Sequence, residues 1–348
     1  MSAIAAISYR GNAVENTHLA HVAVVDADGT LLHRFGDPQR ITLPRSAIKP
    51  IQALTVLESG AFERYPLSEA GLAMCCASHS SEEIHLAHAR RMLEASGSSE
   101  AELRCGGHPP LSDEVYHNWI KSGFTPTPIC SNCSGKHAGM LAATRALKLP
   151  VDDYHAPAHP LQQRFAQTLA ELSDLPPAAI GWGIDGCNLP TPSLALDRLA
   201  RVFAKLGAAT QPAANTTRVT TPESAAREAS LARIYRAMTG HPELIAGTGR
   251  FCSELISAFE GTLVGKTGAA ACYAIAYPER RLGLALKVED GTSATAYAIA
   301  VELLHQLDLG TPAMRARLDH WRRPAIQSTT GTITGYLDVT LRLTSAHP

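Results

Sequence analysis

The sequence predicts an α/β fold in which both chain ends build an antiparallel sheet and a mostly helical segment is inserted between them. Strand-like hydrophobic runs occur near both ends of the chain, and Asp28-Gly29 provides a hairpin turn. The middle of the chain has apolar residues at helical spacing, interrupted by proline clusters. We therefore expect a sheet lobe, residues 1–66 with 241–348, and a mostly helical lobe, residues 67–240, forming one catalytic unit.

The individual elements follow from local patterns along the chain. Strands are predicted near residues 1–7, 21–26, 30–32, 269–277 and 282–288. Helices are predicted near residues 85–95, 134–147, 161–172, 194–206, 224–238 and 294–307. The first seven residues lack the basic region of a secretory signal, so we interpret them as a strand. Residues 210–221 are small and polar without periodicity, which predicts a flexible segment.

Composition excludes some classes of partner. The chain has 31 Lys plus Arg against 32 Asp plus Glu, a formal net charge of -1. A dedicated nucleic-acid or membrane-surface protein would carry an excess of basic residues, so we expect neither partner. No apolar run is long enough to predict a transmembrane helix. The eight cysteines are too sparse for a disulfide scaffold in a chain of 348 residues, so we expect reduced thiols and a cytoplasmic location.

A Ser-x-x-Lys pair stands at a predicted helix start. Ser46 precedes Lys49 by three residues, and Pro50 then opens an apolar helical run. This spacing suits a serine nucleophile with a lysine general base, and a helix N-terminus offers N–H groups to an oxyanion. A capping serine followed by a solvated lysine is the alternative, because the spacing alone arises by chance about once in such a chain.

A second lysine favours the catalytic interpretation. Lys266 lies in Gly265-Lys266-Thr267-Gly268, directly before the C-terminal strand pair. Serine acyl-transfer enzymes of the β-lactamase type combine Ser-x-x-Lys near the chain start with Lys-Thr-Gly on an edge strand. Two nearby ammonium groups also repel, which lowers the pKa of one and lets it act as a base. The alternative for Lys266 is an exposed turn residue.

Three cysteines and a lysine form a further candidate site. Cys130 and Cys133 have the spacing of a metal knuckle, Lys136 follows three residues later, and Cys187 lies in a turn-rich loop. A second Cys-x-x-Cys pair is missing, so the spacing does not support a four-cysteine zinc site. A redox pair or simple buried thiols remain as alternatives.

Six motifs in order resemble those of the Rhizobium etli-type L-asparaginases, from about residue 12 to about residue 290. The motifs are Pro44-Arg45-Ser46-Ala47-Ile48-Lys49-Pro50, Cys76-Ala77-Ser78-His79-Ser80, Cys105-Gly106-Gly107-His108-Pro109, Cys133-Ser134-Gly135-Lys136-His137, Asp185-Gly186-Cys187 and Lys266-Thr267-Gly268-Ala269. Each motif is modest on its own, but the combination is specific. The sequence departs from the family near Ala270, where an acidic residue is expected, and this puts substrate specificity in doubt.

The resemblance implies a serine β-lactamase-like and glutaminase-like fold, and a homodimer. It implies two serine–lysine pairs, Ser46 with Lys49 and Ser78 with Lys266. It also implies a zinc ion near these pairs. Its ligands would be Cys133, Lys136 and Cys187, and Asp185 would orient a metal-bound water.

From this resemblance we expect hydrolysis of the side-chain amide of L-asparagine to L-aspartate and ammonia. Ser46 is the expected nucleophile and Lys49 its base, although Ser78 remains an alternative nucleophile. The candidates for binding the zwitterionic substrate are Arg45, His137, Asp185 and Asp290. The alternatives are a glutaminase, a β-lactam-acting or other serine amidohydrolase on the same scaffold, and a non-enzymatic zinc or thiol-binding protein.

Overall fold

The computed structural model describes residues 3–211 and 221–346, so most of the segment predicted to be flexible lies outside the described residues. The chain divides into two compact units. The sheet unit comprises Met1–Ala47, Ser193–Gln211 and Glu254–Pro348, and the helical unit comprises Ile48–Pro192 and Pro212–Ser253. These bounds differ from the predicted lobes partly because the helix predicted near 194–206 packs on the sheet.

The described strands and helices follow one another in runs along the chain. In chain order the strands are β1 (Ala3–Arg10), β2 (Ala13–Asp26), β3 (Leu31–Phe35), β4 (Ile41–Thr42), β5 (Gly181–Ile184), β6 (Pro190–Ala195), β7 (Val264–Gly268), β8 (Cys272–Tyr277), β9 (Leu282–Val288), β10 (Ala325–Gln327), β11 (Ile333–Val339) and β12 (Thr344–Ser345). The helices are α1 (Lys49–Glu58), α2 (Ala61–Arg64), α3 (Glu69–Cys76), α4 (Glu83–Ala95), α5 (Asp113–Ser122), α6 (Ser134–Ala146), α7 (Pro160–Ser173), α8 (Leu196–Ala208), α9 (Pro222–Gly240), α10 (Pro242–Ile245), α11 (Phe251–Ala258), α12 (Ser293–Gln306), α13 (Pro312–Ala316) and α14 (Asp319–Arg322).

The sheet unit contains the antiparallel sheet that the sequence predicts. Among the described residues it has nine strands in the order β10-β11-β1-β2-β9-β8-β7, with β3 joined to β2 and β12 to β3. Neighbouring strands pair antiparallel, for example Val24 with Leu284 and Ala274 with Ala285. Strands from both chain ends meet at the β2–β9 pair, which confirms the predicted α/β class.

Helices α8 and α12 cover the central strands. Every residue of β8 and β9 is buried, because both helices pack against these strands. A Cβ atom at Gly283 of β9 would lie 1.8 Å from the carbonyl oxygen of Ala200 in α8, so only glycine permits this approach. The apolar faces of α8 and α12 thereby close the core of the sheet unit.

The helical unit is organised around α6, whose residues from Ser134 to Thr144 are all buried. Helix α3 approaches α6 closely: Cβ atoms at Gly135 and Gly139 would lie 2.6 Å from the Met74 oxygen and 2.4 Å from the Cys75 sulfur. The end of α3 and the start of α6 are therefore held together, and both carry candidate site residues. Within residues 3–211 and 221–346, no helix has both the length and the apolar character needed to cross a bilayer.

Candidate active site

Ser46 and Lys49 stand at a helix start, as the sequence predicts. Residues Arg45–Ile48 form a 3-10 turn, and α1 begins directly after it at Lys49. Arg45 has a φ of 51°, a left-handed conformation that is uncommon for a residue with a side chain. Such a strained residue beside a candidate nucleophile is consistent with a functional turn. No side chain caps α1 at Ile48 and Lys49 is buried, so the alternative of a capping serine with a solvated lysine is not supported.

The amine of Lys49 is buried and contacts the segment that follows α3. Its Nζ atom lies 2.5 Å from the carbonyl oxygen of Ala77, 3.0 Å from the hydroxyl of Ser78 and 3.4 Å from the carbonyl oxygen of Asn132. The described contacts therefore bring Lys49 to Ser78. Within hydrogen-bond reach, a lysine amine can take a proton from a serine hydroxyl or return one to it.

The surroundings of Lys49 favour its neutral form. Burial lowers the pKa of its ammonium group, and the charge of Lys136 lowers it further, while the sulfur atoms of Cys133 and Cys187 act in the opposite direction. The side chain is only 1 % exposed, so water does little to stabilise its charge. A lysine with a lowered pKa is suited to act as a general base.

Lys266 lies in the sheet unit on β7, the strand at the edge of the described sheet. It is fully buried, and its Nζ atom donates to the carbonyl oxygen of Thr267 at 3.0 Å. A Cβ atom at Gly268 would lie 2.0 Å from the carbonyl oxygen of Pro44, two residues before Ser46. Glycine in the Lys-Thr-Gly motif therefore lets β7 run against the turn that carries Ser46, as both belong to the sheet unit.

Cys133, Lys136 and Cys187 form a buried cluster in the helical unit. The Lys136 amine donates to the Cys187 sulfur at 3.1 Å. A hydrogen bond from Cys133 and the charge of Lys136 hold the pKa of the Cys187 thiol well below its usual range. The same hydrogen bond and burial raise the pKa of Cys133 to about 12. Burial alone would lower the pKa of the Lys136 ammonium group. The sulfur atoms of Cys133 and Cys187 outweigh burial, so the pKa of Lys136 is raised. Two sulfur atoms and an amine thus share one buried site.

This donor set fits a zinc ion. Tetrahedral zinc with bonds of about 2.3 Å to sulfur and about 2.1 Å to nitrogen separates those donors by about 3.6 Å. The Lys136–Cys187 pair at 3.1 Å is close to that separation. Among the described residues, no three histidine, cysteine, aspartate or glutamate side chains are arranged to hold a metal, so lysine would have to complete the set. Binding would release the thiol and ammonium protons.

His137 presents a buried hydrogen-bond donor. The backbone N–H of Arg104 donates to the Tyr154 hydroxyl at 3.0 Å, so the tyrosine proton is directed to His137 Nδ1, 2.6 Å away. This places the imidazole proton on Nε2, which has no hydrogen-bond partner among the described residues. Burial holds the pKa of His137 well below its usual range, so the ring is neutral. Its Nε2–H group remains available to a ligand.

The two candidate aspartates lie in different units. Asp185 accepts a hydrogen bond from the Gly186 N–H at 2.6 Å in the loop that carries Cys187. Asp290, in the sheet unit, contacts His18 Nδ1 at 2.5 Å and accepts from the Thr292 N–H at 2.8 Å. Although burial opposes its charge, these hydrogen bonds lower the pKa of Asp290. Both carboxylates thus already accept hydrogen bonds from neighbouring groups of the chain.

The predicted site residues thus fall into two groups. Lys49, Ser78 and the Cys133–Lys136–Cys187 cluster belong to the helical unit, together with His137 and Asp185. Arg45, Ser46, Lys266 and Asp290 belong to the sheet unit. The Ser78 hydroxyl lies 3.0 Å from the Lys49 amine, whereas the resemblance pairs Ser78 with Lys266. That second pairing stays a prediction.

Sequence reasoning missed the residues that hold Ser78 in place. His79 Nδ1 accepts from the Ser81 N–H at 3.1 Å, which leaves Nε2 to donate to Ser134 at 2.9 Å. Arg250 donates to the carbonyl oxygen of Ser78 at 2.5 Å. His79 was part of a recognised motif, but no spacing rule assigns it this partner. For Arg250, the only sequence signal is its position after two closely spaced glycines.

The structure thus holds a buried lysine amine within hydrogen-bond distance of a serine hydroxyl on an α/β scaffold. The chain belongs to the L-asparaginase II family, whose sequence model matches residues 6–339. This confirms the family predicted from the motifs.

Similarity to other known proteins is low. No curated protein is significantly similar to the chain. Among solved structures, Mglu in its native form is 15 % identical with a TM-score of 0.46, covering 84 % of this chain and 61 % of Mglu. The chain thus spans about three fifths of the length of Mglu. A beta-lactamase from Mycobacterium bovis is 14 % identical with a TM-score of 0.38, covering 87 % of this chain and 94 % of its own. Simvastatin synthase from Aspergillus terreus is 11 % identical with a TM-score of 0.35, covering 87 % and 92 %. At these TM-scores the likenesses carry no argument about chemistry.

Proposed function

We propose that the chain is an L-asparaginase that hydrolyses the side-chain amide of L-asparagine to L-aspartate and ammonia through a serine–lysine mechanism. The observation that carries the proposal is the buried Lys49 amine, 3.0 Å from the Ser78 hydroxyl, in a member of the L-asparaginase II family. An amide is a poor electrophile, so hydrolysis requires a serine activated by a neighbouring base.

In the proposed acylation step, neutral Lys49 takes the proton of Ser46, and the serine oxygen attacks the amide carbon. Backbone N–H groups at the start of α1 stabilise the oxyanion. The Lys49 ammonium returns the proton to the leaving nitrogen, with the Ser78 hydroxyl as a relay at 3.0 Å. Ammonia leaves, and an aspartyl ester remains on Ser46.

In the proposed deacylation step, a base takes a proton from water, and the water oxygen attacks the ester carbon. The protonated base then gives this proton to the Ser46 oxygen as the ester bond breaks and aspartate leaves. Lys49 and Lys266 are the candidate bases. Arg45 and the Nε2–H group of His137 are suited to the substrate carboxylate, because both donate hydrogen bonds. Asp185 and Asp290 are suited to the substrate ammonium group.

The resemblance also supports a homodimer, which light scattering of the purified protein would test.

Zinc belongs to this proposal as a ligand of Cys133, Lys136 and Cys187. When bound, zinc would supply a Lewis acid or a structural clamp beside Lys49. The chain itself contributes the two thiols and the amine; Lys136 lies in the first turn of α6, and Cys133 is the residue directly before that helix.

The substrate assignment predicts ammonia release from L-asparagine by the purified chain. We expect a kcat/KM for L-asparagine at least about tenfold higher than for L-glutamine, because one extra methylene misplaces the amide carbon. Coupled ammonia detection measures the two amides, and a chromogenic β-lactam measures the third candidate activity. A preference for glutamine or the β-lactam would replace the proposed substrate, and no turnover of any of the three would refute the function.

The zinc assignment predicts that Cys133→Ala and Cys187→Ala each lose bound metal. Removing one thiolate of a three-residue donor set leaves too few ligands for tight binding. Elemental analysis of the purified proteins measures zinc per chain. Cys272→Ala is the matched control, because Cys272 is an equally buried thiol on β8. Equal zinc content in all four proteins would exclude the cluster as the metal site.

A further inference from the structure

The segment that carries Ser78 is buried without being a helix or a strand. Residues 77–81 follow the end of α3 at Cys76, and each of them is at most 4 % exposed. Buried backbone outside regular structure must find its hydrogen-bond partners elsewhere in the protein. The His79 N–H donates to the carbonyl oxygen of Asn132 at 3.3 Å, which satisfies one of these groups.

The partners of Ser78 itself come from residues 245–250, which we call the strap. The Ser78 N–H donates to the carbonyl oxygen of Ile245 at 2.9 Å. The Arg250 Nη1 atom donates back to the carbonyl oxygen of Ser78 at 2.5 Å and to that of Ala246 at 3.1 Å. The strap therefore holds the N–H and the C=O of Ser78, while Lys49 holds its hydroxyl.

The strap is itself anchored on the segment after Ser78. The N–H and the hydroxyl of Thr248 donate to the two carboxylate oxygens of Glu82, each at 2.9 Å. The Ser80 hydroxyl donates to the Ala246 oxygen at 2.9 Å. Gly247 has a φ of 120°, and a Cβ atom there would lie 2.5 Å from Glu82 Oε1. The strap and residues 78–82 thus pack against each other at hydrogen-bond distance.

Arg250 differs from an ordinary structural arginine in the groups that contact its guanidinium group. No carboxylate lies within ion-pair distance of its guanidinium group in the described parts of the chain, and the contacts are carbonyl oxygens. Charge-assisted hydrogen bonds are shorter and stronger than neutral ones, which suits a group that must hold one peptide in a defined position. Among the described side chains, Arg250 is the one that links the Ser78 carbonyl to the strap.

We propose that Arg250 is a positioning residue for the reaction: by holding the Ser78 carbonyl oxygen, it keeps the Ser78 hydroxyl at the Lys49 amine. The inference rests on the proposed function, in which Ser78 and Lys49 move protons. A displacement of about 1 Å in a catalytic group can reduce the rate of the chemical step by about 100-fold. Loss of the Arg250 contacts therefore acts on the chemical step and leaves substrate binding in place.

The test compares Arg250→Met with Arg250→Lys. For Arg250→Met we expect kcat for L-asparagine to fall by about 10- to 100-fold, with KM within about threefold of wild type. For Arg250→Lys we expect kcat within about fivefold of wild type, because one ammonium group can donate to both carbonyl oxygens. Arg236→Met is the control, an exposed arginine on α9 for which wild-type kinetics are expected.

Amide hydrogen exchange of the peptide that covers residues 76–81 provides a readout that needs no substrate. We expect exchange of this peptide to be faster in Arg250→Met than in wild type, Arg250→Lys and Arg236→Met. Wild-type kcat in Arg250→Met, or a loss confined to KM, would overturn the positioning role. A wild-type chain that releases no ammonia would instead refute the proposed function. If the exchange of residues 76–81 in Arg250→Met were then also the same as in wild type, the positioning role of Arg250 would be refuted as well.

Discussion

Ser46→Ala is expected to lower kcat/KM for L-asparagine by about 10⁴-fold or more, because removal of a serine nucleophile eliminates the covalent path. The substitution removes one half-buried hydroxyl from the turn before α1, so the fold and the zinc content should not change. Coupled ammonia detection measures the loss. Ser122→Ala, at the exposed end of α5, is the control with a similar chemical change.

The location of the acyl group separates the two candidate serines. Rapid quenching during turnover, followed by peptide mass analysis, should find an aspartyl ester on Ser46 in the wild-type chain. Ser78→Ala should keep that ester but form and hydrolyse it more slowly. An ester on Ser78, or full activity of Ser46→Ala, would contradict the assignment of Ser46. The first of these outcomes would give Ser78, already in contact with Lys49, the role of nucleophile.

Lys49→Met is expected to reduce kcat/KM by about 10³- to 10⁴-fold, because it removes the general base while filling a similar volume. In the wild-type chain, kcat/KM should rise with pH on an acid limb whose midpoint lies below 10.5, since burial lowers the pKa of Lys49 from that value. The variant should lose this limb. A pH–rate profile of both proteins measures it, and an unchanged limb in Lys49→Met would assign the base to another residue.

The same substitution should change stability in a pH-dependent direction. The folded-state pKa of Lys49 is lowered below its unfolded value of 10.5. Between these two values the unfolded chain binds more protons than the folded chain, so the stability contributed by this group increases as pH rises. Lys49→Met should therefore exceed wild type in free energy of unfolding near neutral pH, and the difference should shrink toward pH 10.5. Urea unfolding at several pH values measures this trend.

Local patterns predicted the regular elements where one physical signal dominated. The Asp28-Gly29 hairpin is confirmed, with β2 ending at Asp26 and β3 beginning at Leu31. The helix predicted near 134–147 is α6, Ser134–Ala146. Strands β10, β11 and β12 were missed, because they are partly or largely exposed and therefore carry little apolar alternation. Ile333 at the start of β11 is 67 % exposed.

The sequence identified candidate site residues, but it did not indicate which of them contact each other. The family resemblance named Ser46, Ser78, Lys266 and the Cys133–Lys136–Cys187 cluster as candidates. The contact of Lys49 with Ser78 joins residues 29 positions apart and depends on how the end of α3 folds. Arg250 acts through backbone carbonyl oxygens, which every residue type provides, so no sequence pattern identifies its partner.

All eight cysteines are buried, and none of them forms a disulfide. In the folded protein, a bulky alkylating reagent therefore reaches them only when the chain opens locally. Cys272 lies in the sheet unit, whereas Cys75 and Cys76 lie in the helical unit. The labelling rate of each cysteine then reports how readily the unit around it opens. Local opening of the sheet unit and of the helical unit can thus be measured separately in the unmodified protein.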